Sequence, residues 1–87
     1  MYKLLWTKQA KKDWKIIRQS EYKDKTQSLL QIIEQDPYKK PPKFKTLSGN
    51  LKGSCSRRIS QQHRLVYEVF EEEKSIKIIS MLTHYHE

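Results

Sequence analysis

Ser54-Cys55-Ser56-Arg57-Arg58-Ile59-Ser60, Arg64-Leu65-Val66-Tyr67-Glu68-Val69-Phe70 and Ser75-Ile76-Lys77-Ile78-Ile79-Ser80-Met81-Leu82 follow one another, separated only by Gln61-Gln62-His63 and Glu71-Glu72-Glu73-Lys74. Each run alternates or is rich in β-branched residues, and each separator is polar and of turn length, which predicts a three-stranded meander. Because alternate residues of a strand share a face, Leu65, Tyr67 and Val69 belong to a core, whereas Arg64, Val66 and Glu68 are mixed. On the first run Ser56, Arg58 and Ser60 form one set and Cys55, Arg57 and Ile59 the other. Arg58 and Arg64 are therefore expected on a face away from the core, with Arg57 as a contact on its flank; alternation alone does not fix the register.

Upstream, Tyr2-Lys3-Leu4-Leu5-Trp6 reads as another short strand, and Thr7 offers an N-cap. Ala10, Trp14 and Ile17 then recur at helical spacing, with Lys8, Lys11, Lys12, Lys15 and Arg18 on the remaining positions. Ser20 is expected to cap a second helix in which Tyr22, Thr26, Leu29, Leu30 and Ile33 share a face. Asp36-Pro37 ends it, since the residue before proline disfavours helical angles. Pro37 to Gly53 holds every proline and glycine of the chain and reads mostly as loop. The order β, α, α, then strands predicts an α+β fold: an N-terminal strand, two antiparallel helices, then an antiparallel sheet with the helices on one face. The other face would be open, with basic residues along it.

At 87 residues the chain has room for one domain, spanning 1–87. Hydrophobic residues make up 36%, enough for a modest core and against wholesale disorder. No apolar run is long enough to cross a bilayer, and Met1 to Trp6 lacks a signal peptide's apolar stretch, so no membrane partner is expected and the location expected is cytoplasmic. A single cysteine, Cys55, forms no intrachain disulfide, and a strand cysteine with no paired histidine reads as an inert small residue. His84 and His86 are too weak a pattern for a metal, and no cofactor is expected.

The net charge of +8 is unevenly placed. Residues 37 to 67 carry eight basic side chains (Lys39, Lys40, Lys43, Lys45, Lys52, Arg57, Arg58 and Arg64) and no Asp or Glu, while the remainder balances at ten against ten. Such a block attracts polyanions and accelerates their approach. On charge alone, a solvated basic surface is an equally good reading.

The stretch from Ser56 to Tyr67, Ser-Arg-Arg-Ile-Ser-Gln-Gln-His-Arg-Leu-Val-Tyr, followed by a strand and a terminal His84-Tyr85, resembles the YoeB/Txe branch of the RelE toxin superfamily. The resemblance is strongest over Leu47 to Tyr85 and extends weakly to the opening strand, both helices and Asp36-Pro37-Tyr38. It implies a microbial-ribonuclease-like fold, ribosome-dependent cleavage of messenger RNA, and neutralisation by a YefM/Phd-type antitoxin, with a homodimer among the assemblies it allows. It also implies roles. Arg64 and Arg58 match phosphate-contacting arginines, and His84 and Tyr85 match the C-terminal catalytic pair. Arg57, Lys43 and Lys52 are expected to contact RNA beside them. At the position where the branch usually carries a glutamate base, ungapped alignment places Lys45. The family lysine three residues on is replaced by Ser48, and the aromatic before Ser-Arg-Arg by Cys55.

RNA cleavage by its own 2′-hydroxyl needs a base for that proton, cations for the phosphate and an acid for the departing 5′-oxygen. His84 suits the last role because imidazole titrates near neutrality. Arg58 and Arg64 offer bidentate bonds to phosphate, and Tyr85 can stack on a base or place an oxygen. Lys45 serves as a base only if the neighbouring cations depress its pKa, and otherwise as a clamp. RelE works with lysines and arginines, so the change need not abolish cleavage. Glu68 is a conceivable substitute base, although an ion pair with an arginine is its more ordinary role. Two alternatives stay open: a toxin fold that binds RNA and antitoxin without efficient cleavage, and a generic basic nucleic-acid-binding module, which leaves the terminal His-Tyr unexplained.

Overall fold

The computed structural model describes residues 1–47 and 53–82. In chain order they form β1 (Lys3–Trp6), α1 (Lys8–Ile17), α2 (Lys23–Gln35), β2 (Phe44–Thr46), β3 (Ser54–Arg58), β4 (Arg64–Phe70) and β5 (Ser75–Ser80). The strands make one sheet in the order β1-β5-β4-β3-β2. The meander β3-β4-β5 is antiparallel, as its alternation predicts. The opening strand joins β5 in parallel, which makes the sheet mixed, and a three-residue strand inside the expected loop pairs antiparallel with β3 on the other edge.

Register explains which side chains reach the core. Leu4 stands opposite Ile76 and Trp6 opposite Ile78; Val69 and Tyr67 meet Ile76 and Ile78 from the other side, and Cys55 meets Tyr67. This face packs with Ala10 and Ile17 of α1 and Leu29, Leu30 and Ile33 of α2 in one apolar cluster. Between Val66 and Tyr67 the register against β5 shifts by a residue, an irregularity that bends a strand end and re-aims the side chains past it; on the far side Met81 is fully buried in the same cluster.

The helix ends follow the expected chemistry in one case and not in the other. Thr7 Oγ1 accepts from the Ala10 N–H at 3.0 Å, the N-cap bond that satisfies a first-turn donor, and donates to the Ile79 carbonyl at 2.9 Å. Ser20, expected to cap α2, instead closes the turn between the helices: its hydroxyl donates to Ile17 O at 2.7 Å and accepts from Tyr22 N–H at 3.1 Å. The N-cap of α2 is Tyr22, which uses no side-chain bond. No helix among the described residues is long and apolar enough to cross a membrane.

Candidate nucleic-acid interface

The sheet face turned away from the helices carries Lys45 opposite Ser56 and Arg58 opposite Arg64. It is not open along its whole length, contrary to the expectation from patterning, because Ser54, Val66 and Ser75 on it are buried. At the β2 end the face opens into a cleft of about 430 Å³ lined by Lys25, Lys43, Lys45, Arg58, Arg64, Ser56, Pro42 and Phe44. Lys25, Lys43, Lys45 and Arg58 are exposed, Arg64 is half-buried and already engaged with the protein, and Ser56 is buried at the floor. Five cations thus converge and no Asp or Glu lines the cleft among the described residues. Like charges held together in a concave wall raise the local potential and concentrate anions there. Lys25 reaches the cleft from α2, Lys45 from β2 and Lys43 from the residue before β2, all outside the arginine motif.

Arg57, expected among the RNA contacts, points the other way. It is 1% exposed and pairs across the ladder with Leu65 on the core face. Its Nε donates to the Tyr67 hydroxyl at 2.9 Å. Its terminal nitrogens donate to the carbonyls of Pro42, Pro37 at 3.0 Å and Lys39 at 2.9 Å. Tyr67 in turn donates to Pro37 O at 2.7 Å, and the Phe44 ring lies 5.0 Å from the guanidinium carbon. A buried cation is tolerated only when its donors are satisfied, and here backbone carbonyls of the Pro37–Pro42 loop satisfy them. The loop is thereby pinned to the sheet, and β2 with Lys45 comes directly after it. Burial pushes the Tyr67 phenol up to about 12, the bond from Arg57 opposing part of that shift. Burial also raises the Cys55 thiol, with Arg57 again pulling the other way.

The cleft therefore brings Lys43, Lys45, Arg58 and Arg64 together and leaves Arg57 out. Lys52, His84 and Tyr85 lie outside the described residues. Glu68 stays on the same face but four positions along β4 from Arg64, about 13 Å at the rise of a strand, and does not line the cleft. His63 shapes the β3–β4 turn through its backbone: its carbonyl accepts from Ile59 and Ser60 N–H, and its own N–H donates to Ser60 Oγ at 3.0 Å. Trp6 and Trp14 meet edge to face with centroids 6.3 Å apart and pack against the core. Among the described residues no group of three His, Cys, Asp or Glu side chains could hold a metal ion. Two features escape the sequence reading: Lys25, whose approach to the cleft depends on how α2 packs, and Asp13, a carboxylate buried on an otherwise basic helix.

Residues 6–85 match the family model of the YoeB-like toxins of bacterial type II toxin–antitoxin systems. The chain belongs to that family. Toxin YoeB of Escherichia coli K12 is 31% identical over 85 residues, covering 95% of this chain and 99% of that protein. Toxin YoeB of Synechocystis is 40% identical over 57 residues, covering 66% of this chain and 64% of that protein. Among solved structures, a YoeB/ParE toxin from Agrobacterium tumefaciens superposes with a TM-score of 0.86 at 28% identity, covering 95% of this chain and 99% of that one. The Staphylococcus aureus YoeB–YefM complex gives 0.82 at 34% identity, with 98% and 99% covered, and a YoeB dimer from the same organism gives 0.81 at 34%, with 97% and 98% covered. The YoeB family fold thus accounts for the helix pair and for the mixed five-stranded sheet.

Proposed function

We propose that this YoeB-family toxin is an endoribonuclease that cuts messenger RNA on the ribosome. The observation that carries the reading is the concave cluster of Lys25, Lys43, Lys45, Arg58 and Arg64, with no acid in its wall among the described residues. The 2′-hydroxyl attacks the adjacent phosphorus, the bond to the 5′-oxygen breaks, and a 2′,3′-cyclic phosphate and a 5′-hydroxyl end result. Arg58 and Arg64 hold the phosphate as charge builds, His84 gives its proton to the departing oxygen, and Tyr85 orients the nucleotide. Lys43, Lys45 and Lys52 hold flanking phosphates. The 2′-proton leaves to solvent, because Lys45 stands where a carboxylate would take it. A single proton-transfer group contributes roughly 10²- to 10⁴-fold, so this chain cuts more slowly than a glutamate-bearing relative. The second reading, binding without efficient cleavage, draws on the same absence of an acid.

The proposed silencing partner is a YefM-type antitoxin whose acidic segment covers the cleft, as charge complementarity favours; the S. aureus YoeB–YefM complex supports it, and the S. aureus dimer supports self-association. The place of action is the cytoplasm, where ribosomes are. Cleavage of message on programmed ribosomes tests the reading with three variants. Arg64→Ala is expected to lose far more activity than Lys39→Ala, whose side chain does not line the cleft, because a planar guanidinium makes paired bonds that an ammonium does not. Lys45→Glu is expected to raise cleavage by up to the same roughly 10²- to 10⁴-fold. Equal losses in the two alanine variants would reduce the site to diffuse charge, and a fall in Lys45→Glu would mean that Lys45 clamps phosphate in a cation-only mechanism.

A further inference from the structure

The floor of the cationic cleft carries a neutral hydroxyl. Ser56 lines the cleft and is 4% exposed. Register fixes its neighbours. Lys45 stands directly opposite on β2, about 5 Å away between Cα atoms. Arg58, itself opposite Arg64, lies two positions along β3 on the same face, about 7 Å away. The hydroxyl therefore sits between Lys45 and the arginine pair. It has no hydrogen-bond partner among the described residues. Lysine and arginine carry donors and no acceptor, so the cations around it offer nothing to receive its proton. The Ser75 hydroxyl, on the same face but outside the cleft, is also unpaired, yet it is sealed off; the Ser56 side chain faces a space that a ligand can enter. A buried hydroxyl with no acceptor is unfavourable, and alanine would occupy the strand without that cost. Stability does not account for a serine here.

We propose that Ser56 is a phosphate-binding residue whose Oγ–H donates to a non-bridging oxygen of the RNA phosphate held by Arg58 and Arg64. The inference rests on the reading of the cleft as an RNA site, and it requires only that a phosphate enters, not that the strand is cut. A phosphodiester carries its charge on two non-bridging oxygens. The guanidinium forks take it from the arginine side, and an oxygen turned to the floor needs a donor there. A further cation at that depth would be buried beside five like charges and would need partners of its own. The hydroxyl supplies the donor without the charge, and its bond to an ionised acceptor is stronger than a bond to a neutral one. The exposed lysines, by contrast, meet phosphates without burying them.

The test measures binding of the full-length toxin to a short RNA oligonucleotide with fluorine in place of every 2′-hydroxyl, which leaves the strand uncuttable. Two further versions carry sulfur at one non-bridging oxygen of each linkage, in pure Rp or pure Sp configuration. Ser56→Ala is expected to bind the all-oxygen probe about 10-fold more weakly, as for one bond to a charged acceptor, while its thermal midpoint stays at or above that of the parent. Ser56→Thr keeps the hydroxyl and is expected to recover most of the affinity. Sulfur accepts hydrogen bonds poorly, so one diastereomer should weaken parental binding and bring no further loss in Ser56→Ala, the non-additivity of two changes to one contact. A lower midpoint with unchanged affinity would overturn the inference and leave Ser56 a packing residue. Sulfur effects of the same size in parent and Ser56→Ala, for both diastereomers, would overturn it as well. Parental binding that ignores Arg58→Ala would remove the cleft as an RNA site and the Ser56 contact with it. Binding that follows every expectation in a toxin that leaves ribosome-bound message uncut would refute the cleavage reading alone and uphold the contact.

Discussion

Replacing Arg57 with alanine separates a builder of the fold from a ligand of RNA. The guanidinium makes four hydrogen bonds, to Tyr67 and to the carbonyls of Pro37, Lys39 and Pro42, and fills a place that is 1% exposed. Hydrogen bonds to a charged group contribute about 1.5–3 kcal/mol each, but not additively. The carbonyls of Lys39 and Pro42 sit in a surface loop and can turn to water, and Pro37 O keeps its bond from the Tyr67 hydroxyl, so the bond to Tyr67 is the one lost without replacement. With a cavity contribution of about 2–5 kcal/mol for a large buried side chain, a loss of about 3–5 kcal/mol is expected. A chain of this length has about 4–13 kcal/mol in total, and each kcal/mol moves the thermal midpoint by about 4–8 °C. Arg57→Ala should therefore melt at least about 12 °C lower. Arg58→Ala, one residue away and exposed, should stay within about 0.5 kcal/mol of the parent while weakening RNA binding. Thermal and urea unfolding beside an RNA titration read both. An Arg57→Ala protein with the parental midpoint and the RNA defect of Arg58→Ala would refute the assignment.

Tyr67 gives the same network a pH signature. Its pKa is raised from 10.0 to about 12 in the folded chain, so its contribution is whole below pH 10 and fades as pH climbs through 12; at about 1.36 kcal/mol per unit the full span is about 2–3 kcal/mol. Urea midpoints between pH 9 and 12 should fall accordingly. In Tyr67→Phe that component of the slope should vanish, while neutral-pH stability drops by about 1–3 kcal/mol for the unpaired Arg57 Nε, Pro37 O keeping its bond from Arg57; an unaltered slope would exclude Tyr67 as the titrating group. Lys25→Ala should leave the midpoint alone but reduce the salt dependence of RNA binding by about one unit of log–log slope. An unchanged slope would place α2 outside the interface.

Much of this fold is legible in the sequence because its long-range pairings coincide with local signals. β3, β4 and β5 alternate and are separated by polar turns, Thr7 stands one residue ahead of an amphipathic run, and Asp36-Pro37 ends the second helix. The features that stay hidden depend on partners distant in the chain. Phe44–Thr46 is three residues beside two prolines and becomes a strand only because β3 lies next to it. The parallel direction of β1 is set by α1 and α2 carrying the chain across the sheet. Alternation puts Arg57 and Arg58 on opposite faces, but it does not say that a phenol and three loop carbonyls await one of them. The sequence gives no sign of Asp13's burial, since the amides that donate to it are 68 and 69 positions away.

The division of labour between the adjacent arginines also explains how a cleft so unbalanced in charge persists. Four exposed cations and Arg64 crowd one concavity with no acid among the described residues, and their mutual repulsion would spread the β2 edge if only a three-residue ladder held it. Arg57 supplies the restraint from beneath. It binds the loop before β2 by carbonyls, which carry no net charge and so leave the field of the cleft uncancelled, where an aspartate in the same role would have neutralised part of it. The repulsion that remains is relieved when a polyanion enters, so the electrostatic work of assembling the cleft reappears as affinity for whatever anionic chain arrives. On the proposed function, RNA and an acidic antitoxin segment would compete for that same relief. High salt weakens both competitors by screening the cleft, but it leaves the Arg57 network, whose guanidinium is buried and carbonyl-bound, almost untouched.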